Sequence, residues 1–166
     1  MIKLRQMAAA FLCRGEQVLM MKRAETRELA PGLWAPIGGH LEEGELNDPA
    51  AACLREICEE TGIAAATIRN FRLKYLLLRR KVDEIRVQYI YFGETTQAEL
   101  RDTIEGKLAW VERDELLGLE LPAVSRFILE HYYGEGSQED QVIVGTVGAK
   151  NGGPTISWTK LADWES

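Results

Sequence analysis

Long apolar stretches are missing from this chain of 166 residues. No run approaches the roughly 20 apolar residues that a helix needs to cross a bilayer, so we expect no membrane partner. The first 17 residues contain a short apolar run, but charge returns at Arg14. A secretory signal needs a longer apolar region and a cleavage site. We interpret this segment as a first strand.

Cysteine is scarce as well. Cys13, Cys53 and Cys58 are odd in number and lack the paired spacing of zinc sites. Cys53 and Cys58 fall in a helical pattern, and a free cysteine is usually a small buried hydrophobe, so we predict that both are buried. Without a disulfide framework, the sequence favours a reducing, cytoplasmic location.

The sequence has no basic patch interleaved with aromatic residues, and its pI is near 5.1. We therefore expect no stable nucleic-acid partner. A hydrophobic content of 46% with 28% charged residues is ordinary for a globular protein. The length suits one domain with a full core, which we predict to span residues 1–166.

What the chain does have is a local concentration of negative charge. Arg55 is the one base in a segment whose net charge of −6 equals the formal charge of the whole chain. Charge gathered in this way indicates a site for a cation. The acids of the segment are Glu42, Glu43, Glu45, Asp48, Glu56, Glu59 and Glu60.

Strand-like segments, most of them joined as hairpins, alternate with two main helices and one short helical turn. This pattern predicts an α+β fold with a central mixed sheet and helices on either face. We place the core at about residues 5–134 and a C-terminal β-hairpin extension at about 140–160. The predicted strands are 7–13, 18–22, 34–37, 67–79, 85–93, 108–111, 142–147 and 155–159, the helices 49–61 and 122–133, and the turn 113–117.

The acidic helix has clear end signals. Asp48 is a good N-cap, Pro49 suits the first helical position, and Gly62 suits a left-handed ending. At about 100° per residue, three carboxylates share one face of this helix and an apolar stripe lies opposite. The carboxylates are Glu56, Glu59 and Glu60, and the stripe is Leu54, Ile57, Cys58 and Thr61.

This arrangement of carboxylates is locally unfavourable, since like charges one turn apart destabilise a helix by roughly 0.2–0.5 kcal/mol per pair. Glu59 and Glu60 also lie in the last turn, where the helix dipole prefers cations. A solvated acidic face is the ordinary interpretation. A divalent cation would explain more, because hard ions bind carboxylate and carbonyl oxygens and Gly38-Gly39 permits close backbone approach.

The segment resembles the Nudix box of the MutT-like Nudix hydrolases: Gly, five residues, Glu, a spacer, then Arg-Glu-apolar-x-Glu-Glu-x-Gly-apolar. Every fixed position of the second half matches between Arg55 and Ile63, and the first half matches as Gly39 and Glu45. Nine residues separate Glu45 from Arg55, two more than the family usually has. We place the extra two in the loop near residues 46–47, which leaves the role of Glu45 open.

The resemblance implies an α/β/α sandwich and a Mg²⁺- or Mn²⁺-dependent hydrolase of a diphosphate linkage in a small-molecule nucleotide. Its metal ligands would be the Gly39 carbonyl, Glu56, Glu59 and Glu60. Glu56 or Glu59 would be the general base, and Arg55 would complete the catalytic group by orienting the glutamates. The substrate expected first is a (d)NTP or an oxidised dNTP, cleaved to a nucleoside monophosphate and pyrophosphate.

Outside the box, family members often add a carboxylate from a later loop, and Glu105 matches that position; a solvated loop acid is the alternative. Lys22 and Arg23 end a strand and could meet substrate phosphates, or simply be an exposed strand end. Trp34 could stack on a base, although packing beneath the loop is the ordinary role of a large aromatic.

Other functions remain open at this point. Dinucleoside polyphosphates, nucleotide sugars and RNA 5′ ends are alternative substrates, and a noncatalytic nucleotide-sensing module is an alternative class. Trp158 and Trp164 in the tail fit either a homodimer contact or packing of the hairpin on its own domain.

Overall fold

The computed structural model describes residues 1–28, 30–101 and 103–165. Within these ranges, nine strands join one sheet that is flanked by two α-helices. The strands are β1 (Lys3–Arg14), β2 (Gln17–Arg23), β3 (Trp34–Ala35), β4 (Ile37–His40), β5 (Ile68–Lys81), β6 (Glu84–Thr95), β7 (Gly106–Glu112), β8 (Val142–Lys150) and β9 (Gly153–Leu161). The helices are α1 (Pro49–Thr61) and α2 (Ala123–Gly134), with short 3-10 helices between elements.

The sheet is mixed, in the order β3-β2-β1-β6-β5-β8-β9, with β4 added on β1 and β7 added on β2. The hairpins β1–β2, β5–β6 and β8–β9 are antiparallel, whereas β1–β6 and β5–β8 are parallel. One edge of β1 carries β6 along most of its length, and the other edge is shared by β4 and β2. The predicted α+β fold with a central mixed sheet is confirmed.

The two helices cover opposite faces of the sheet, because alternate residues of β1 enter different cores. Ala8, Ala10 and Leu12 pack with Ile57 of α1. Phe11 packs with residues of α2 such as Ile128. In the part of the chain that the structure describes, no helix is long and apolar enough to cross a membrane.

The ends of α1 follow the predicted signals. Asp48 Oδ1 accepts a hydrogen bond of 3.0 Å from the Ala51 amide, and Pro49 is the first helical residue. Gly62 has a φ of 77° and its amide donates to the Cys58 carbonyl at 3.0 Å. The two additional spacer residues therefore lie before the cap and leave the helix intact.

The buried face of α1 differs from the predicted stripe. Cys58 is exposed, so the prediction that both helical cysteines are buried is wrong for Cys58 and right for Cys53. Glu60, predicted on the exposed face, is buried with 9% exposure. On the wheel the buried positions centre near Glu60 and Cys53, because β4 approaches α1 on the side where glycines present no side chain. The buried residues are Ala52, Cys53, Ile57, Glu60 and Thr61.

The C-terminal hairpin continues the sheet. Its strand β8 pairs in parallel with β5, from Tyr75 opposite Ile143 to Arg79 opposite Val147. Trp158 packs on Tyr75, with ring centroids 5.3 Å apart. This contact agrees with packing of the hairpin on its own domain. Trp164 is exposed.

Candidate active site

Gly38 lies where β4 passes closest to β1. A Cβ at this position would come within 2.1 Å of the Ala8 carbonyl oxygen, and φ is +152°. Only glycine tolerates that combination. The close pairing brings the Gly38 amide to Glu60, where it donates to Oε2 at 3.2 Å.

Gly39 lies directly against Glu56. A Cβ built on Gly39 would be 2.6 Å from the carboxylate carbon of Glu56, so the missing side chain provides the space that this carboxylate fills. The second glycine of the pair thus sets the position of a glutamate 17 residues later in the chain.

Arg55 gathers three of the acids. Its Nε and Nη2 donate to both oxygens of Glu45 at 2.7 and 2.8 Å. Its Nη1 donates to Glu56 at 3.0 Å and to Glu59 at 3.1 Å. A guanidinium fork suits this bidentate pairing. These hydrogen bonds raise the pKa of Arg55, and the bond to Glu45 has the largest effect.

The carboxylate of Glu45, whose role the longer spacer left open, accepts hydrogen bonds from two residues. Besides Arg55, its carboxylate accepts from the Glu42 amide at 2.9 Å and so closes the short 3-10 helix of residues 43–45. The Arg55 hydrogen bonds, followed by this amide, lower the pKa of Glu45 to about 2. Glu45 is therefore a stable anion that fixes the orientation of Arg55.

Glu60 has the most strongly raised pKa among the acids of the cluster. Burial raises the pKa of Glu60 to about 7, the negative charge of Glu56 adds to the increase, and the Gly38 amide opposes it. Burial also raises the pKa of Glu56, against the lowering effect of Arg55. Glu59 differs, since 60% of its side chain is exposed.

A cavity of about 340 Å³ lies on the face of the sheet that carries α2, and Gly38 and Gly39 form part of its wall. Most of its lining is apolar, including Ile90 and Ile128, and the rest includes several basic side chains. Four arginines contribute to the basic part: Arg23, Arg27, Arg79 and Arg86. An apolar pocket with a few charged groups, next to an acidic cluster, is the usual form of a small-molecule site.

Comparison with known protein families agrees with this geometry. The NUDIX domain matches residues 3–132, which include the acidic cluster and both helices except the last residues of α2. The chain belongs to the Nudix family. Nudix proteins of this kind are hydrolases that act on phosphoanhydride bonds, so the predicted enzyme class is confirmed.

Individual relatives are similar to this chain in part of the sequence or in the fold. A human protein described as m7GpppN-mRNA hydrolase NUDT17 is 49% identical over 47 residues, which are 28% of this chain and 13% of that protein. The MutT protein from Bacillus halodurans is 23% identical with a TM-score of 0.69, covering 93% of this chain and 97% of its own. A MutT NUDIX hydrolase from Burkholderia pseudomallei is 26% identical with a TM-score of 0.64, covering 77% and 97%.

Nudix hydrolases generally use a divalent metal, and the donor chemistry here suits one. Glu56 lies close enough to Glu60 for its charge to raise the pKa of Glu60, and a cation would relieve this repulsion. Among the described residues, however, no three His, Cys, Asp or Glu side chains converge at metal-binding distance. In the Nudix box, Arg55 holds Glu56 and Glu59 in ion pairs.

The site residues predicted outside the Nudix box differ in whether they lie near Glu60 or the cavity. Glu105 is near enough to raise the pKa of Glu60, and it forms an ion pair of 2.7 Å with Arg27. Arg23 lines the cavity, whereas Lys22 is exposed and, among the described residues, is not part of that wall. Trp34 packs against the core on the α2 side, which agrees with the packing interpretation.

Sequence reasoning missed three cationic residues of this Nudix cavity, Arg27, Arg79 and Arg86. Arg79 and Arg86 are direct partners across the β5–β6 hairpin. The sequence pattern predicts strands at 67–79 and 85–93 with a turn at 80–84 between them, whereas β5 continues to residue 81 and the turn comprises residues 82–83. A turn of two residues would have predicted the pair.

Proposed function

We propose that this Nudix protein is a divalent-metal-dependent pyrophosphohydrolase that cleaves a diphosphate linkage in a nucleotide. The observation that carries the proposal is the Glu60 carboxyl, which is buried in the middle of the packed face of α1, beside Glu56 and below the Gly38 amide. A buried acid destabilises the fold unless a proton or a cation neutralises it. Groups perturbed in this way are typical of active sites.

Metal binding is the first task of the box residues. The Gly39 carbonyl, Glu56, Glu59 and Glu60 would hold Mg²⁺ or Mn²⁺, with Glu105 as a further carboxylate. When bound, the metal would neutralise phosphate oxygens and lower the pKa of a water molecule.

Proton transfer is the second task of the site. Glu56 Oε1 accepts a hydrogen bond from Arg55, which leaves Oε2 to accept the proton of the attacking water. Glu56 is a better candidate than Glu59, because Glu59 is mostly exposed. As the water oxygen bonds to phosphorus, the bond from phosphorus to the bridging oxygen breaks, and its electron pair leaves with that oxygen.

Two substrate classes fit the site. A (d)NTP or oxidised dNTP would give a nucleoside monophosphate and pyrophosphate. The second class comprises nucleotides that continue beyond the diphosphate: dinucleoside polyphosphates, nucleotide sugars and RNA 5′ ends. The four arginines of the cavity favour this second class, and so does the short match to a relative described as an mRNA hydrolase.

The test is a substrate panel with Mg²⁺ or Mn²⁺ in which orthophosphate, pyrophosphate and nucleoside monophosphate are measured separately. We expect turnover of at least one nucleotide, and a loss of about a hundredfold or more in kcat for Glu56→Gln. Glu43→Gln is the matched control, because Glu43 lies in the same box but is exposed. A panel with no turnover, or a Glu56→Gln variant as active as the wild type, would refute the proposal.

A further inference from the structure

Three arginines form a row across three adjacent strands of the sheet. Arg5 of β1 is paired with Arg86 of β6, and Arg86 is paired with Arg79 of β5. Residues paired across neighbouring strands point to the same face, and like charges directly opposite one another destabilise a sheet. The fold therefore holds positive charge together in a place where chain pairing alone would disfavour it.

The carboxylate of Glu84, next to this row, compensates part of the positive charge of the three guanidinium groups. Glu84 accepts hydrogen bonds from both Arg5 and Arg86. Within the described residues, the side chain of Arg79 has no hydrogen bond and no ion pair, although it is half-buried. Burial, and then the charge of Arg86, lower the pKa of Arg79. Two adjacent guanidinium groups with unused donors are suited to phosphate, whose oxygens they bind in pairs.

The cavity leads from this row to the Nudix box. Arg79 and Arg86 line it together with Gly38 and Gly39. The C-terminal hairpin, which lies beyond the residues matched by the family, completes the wall with Val147 and Pro154. Val147 is the strand partner of Arg79 on the side away from Arg86, so the side chains of Val147 and Arg79 lie on the same face of the sheet.

The strand register sets the distance between the two ends of the cavity. Gly39 is opposite Ala8 on β1, whereas Arg86 is opposite Arg5, three residues earlier on that strand. Three residues along a strand and two strand spacings across place the Arg86 backbone on the order of 14 Å from Gly39. That separation is longer than a diphosphate and comparable with the length of a nucleoside.

We propose that Arg79 and Arg86 form a second anion site, which binds a phosphate of the substrate that lies a nucleoside's length from the diphosphate cleaved at the Nudix box. This inference rests on the proposed function, and it selects small-molecule nucleotides that carry an additional phosphate. That phosphate would come either from a phosphorylated ribose or from a link to a second nucleotide.

Two probe pairs test the site, because one member of each pair has a distal phosphate that the other member lacks. NADP⁺ and NAD⁺ differ in the ribose phosphate, and the triphosphorylated dinucleotide pppApA and ATP differ in a second nucleotide with its link. In at least one pair, we expect the member with the distal phosphate to have a kcat/KM about tenfold or more above that of the member without it. Arg79→Gln should remove that preference, whereas Arg79→Lys should retain part of it.

Arg80→Gln is the control, since Arg80 is exposed on the neighbouring position of β5 and donates to the Val82 carbonyl. Equal kcat/KM values within both pairs, or a preference that survives in both Arg79→Gln and Arg86→Gln, would overturn the inference. Thermal unfolding of each variant shows whether it is folded.

Equilibrium binding of the same four probes to metal-free protein separates this inference from the proposed function. If nothing is hydrolysed but the distal phosphate still improves binding in an Arg79-dependent way, the anion site stands and the proposed hydrolysis fails. If hydrolysis proceeds and binding is equal within both pairs, the anion site fails and the proposed function stands.

Discussion

Arg55 and Glu45 form a bidentate ion pair across the expanded spacer of the box, with Nε and Nη2 of Arg55 at 2.7 and 2.8 Å from the two Glu45 oxygens. Arg55 lies ten positions after Glu45 in the chain. The short 3-10 helix of residues 43–45 and the cap at Asp48 absorb the additional length, so the pair forms without distortion of α1.

We therefore predict that Glu45→Gln impairs catalysis although Glu45 is not among the proposed metal ligands. Loss of the charge frees Arg55, which then no longer holds Glu56 in one orientation. Removing a group that orients a ligand typically costs 10- to 100-fold in activity or metal affinity, and we expect about that loss in kcat/KM. Glu43→Gln should be neutral. Equal activity of Glu45→Gln and wild type would show that Arg55 is positioned without Glu45.

The Glu45 pair should also be visible in a titration. The pKa of Glu45 is lowered to about 2, so its contribution to stability is present above the ordinary carboxyl pKa and is lost as pH falls through about 2. Carboxyl NMR signals of Glu45 should remain those of the anion at pH 3.5. In Arg55→Gln the same signals should titrate at a clearly higher pH, because only the Glu42 amide still stabilises the anion. An unchanged titration would mean that Arg55 does not stabilise the anion.

Glu60 has the opposite pH dependence. Its folded-state pKa of about 7 is raised above the reference of 4.5, so its contribution to stability is fully present below pH 4.5 and is lost as pH rises through 7. The shift corresponds to roughly 3 kcal/mol at pH 8 in metal-free protein. Glu60→Gln should therefore raise the free energy of unfolding at pH 8 and have little effect at pH 4.5, while it abolishes activity.

The measurement is denaturant unfolding of chelator-treated protein at the two pH values, with Glu43→Gln as the control. A Glu60→Gln variant that is equally stable with wild type at pH 8 would show that the buried carboxyl is not strained. Such a gain in stability with a loss of activity is expected where a buried charge is kept for function.

Features that depend on neighbouring residues were predicted from the sequence more accurately than features that depend on contacts between distant residues. The caps at Asp48 and Gly62 and the hairpins use local chemistry, and they were predicted to within a few residues. The buried face of α1 was predicted around Ile57 but is centred on Glu60, because which arc faces the sheet depends on the distant Gly38. A hydrophobicity pattern cannot place a glutamate in a core.

The row of arginines shows the second limit of prediction from sequence. A shift of one residue in the predicted turn moves Arg86 from one face of the sheet to the other, so the pairing with Arg79 depends on a detail that sequence patterns define poorly. Val82, in the turn, has a φ of 54°, which is unusual for a β-branched residue and gives no sequence signal for a tight turn.

The three cysteines should react very differently with a thiol reagent. Cys58 is exposed, Cys53 is buried, and Cys13 is half-buried with its pKa raised to about 11, mainly by burial. Because the thiolate is the reactive form, we expect one fast-reacting thiol per native chain at pH 8. Cys58→Ser should eliminate the fast phase and Cys53→Ser should not. A fast phase that survives in Cys58→Ser would contradict the exposed position of Cys58 on α1.

The paired glycines of the box should respond differently to alanine. A Cβ on Gly38 would meet the Ala8 carbonyl at 2.1 Å, and the backbone of β1 cannot move aside, so Gly38→Ala should destabilise the fold by several kcal/mol or prevent folding.

A Cβ on Gly39 would instead meet the carboxylate end of Glu56 at 2.6 Å, which can rotate away. Gly39→Ala should therefore keep most of its stability and lose activity by about tenfold or more, since Glu56 leaves its position. Gly44→Ala, which meets no atom within 4 Å, is the control for both stability and kcat. If Gly39→Ala retained full activity, the contact between Gly39 and Glu56 would have no part in catalysis.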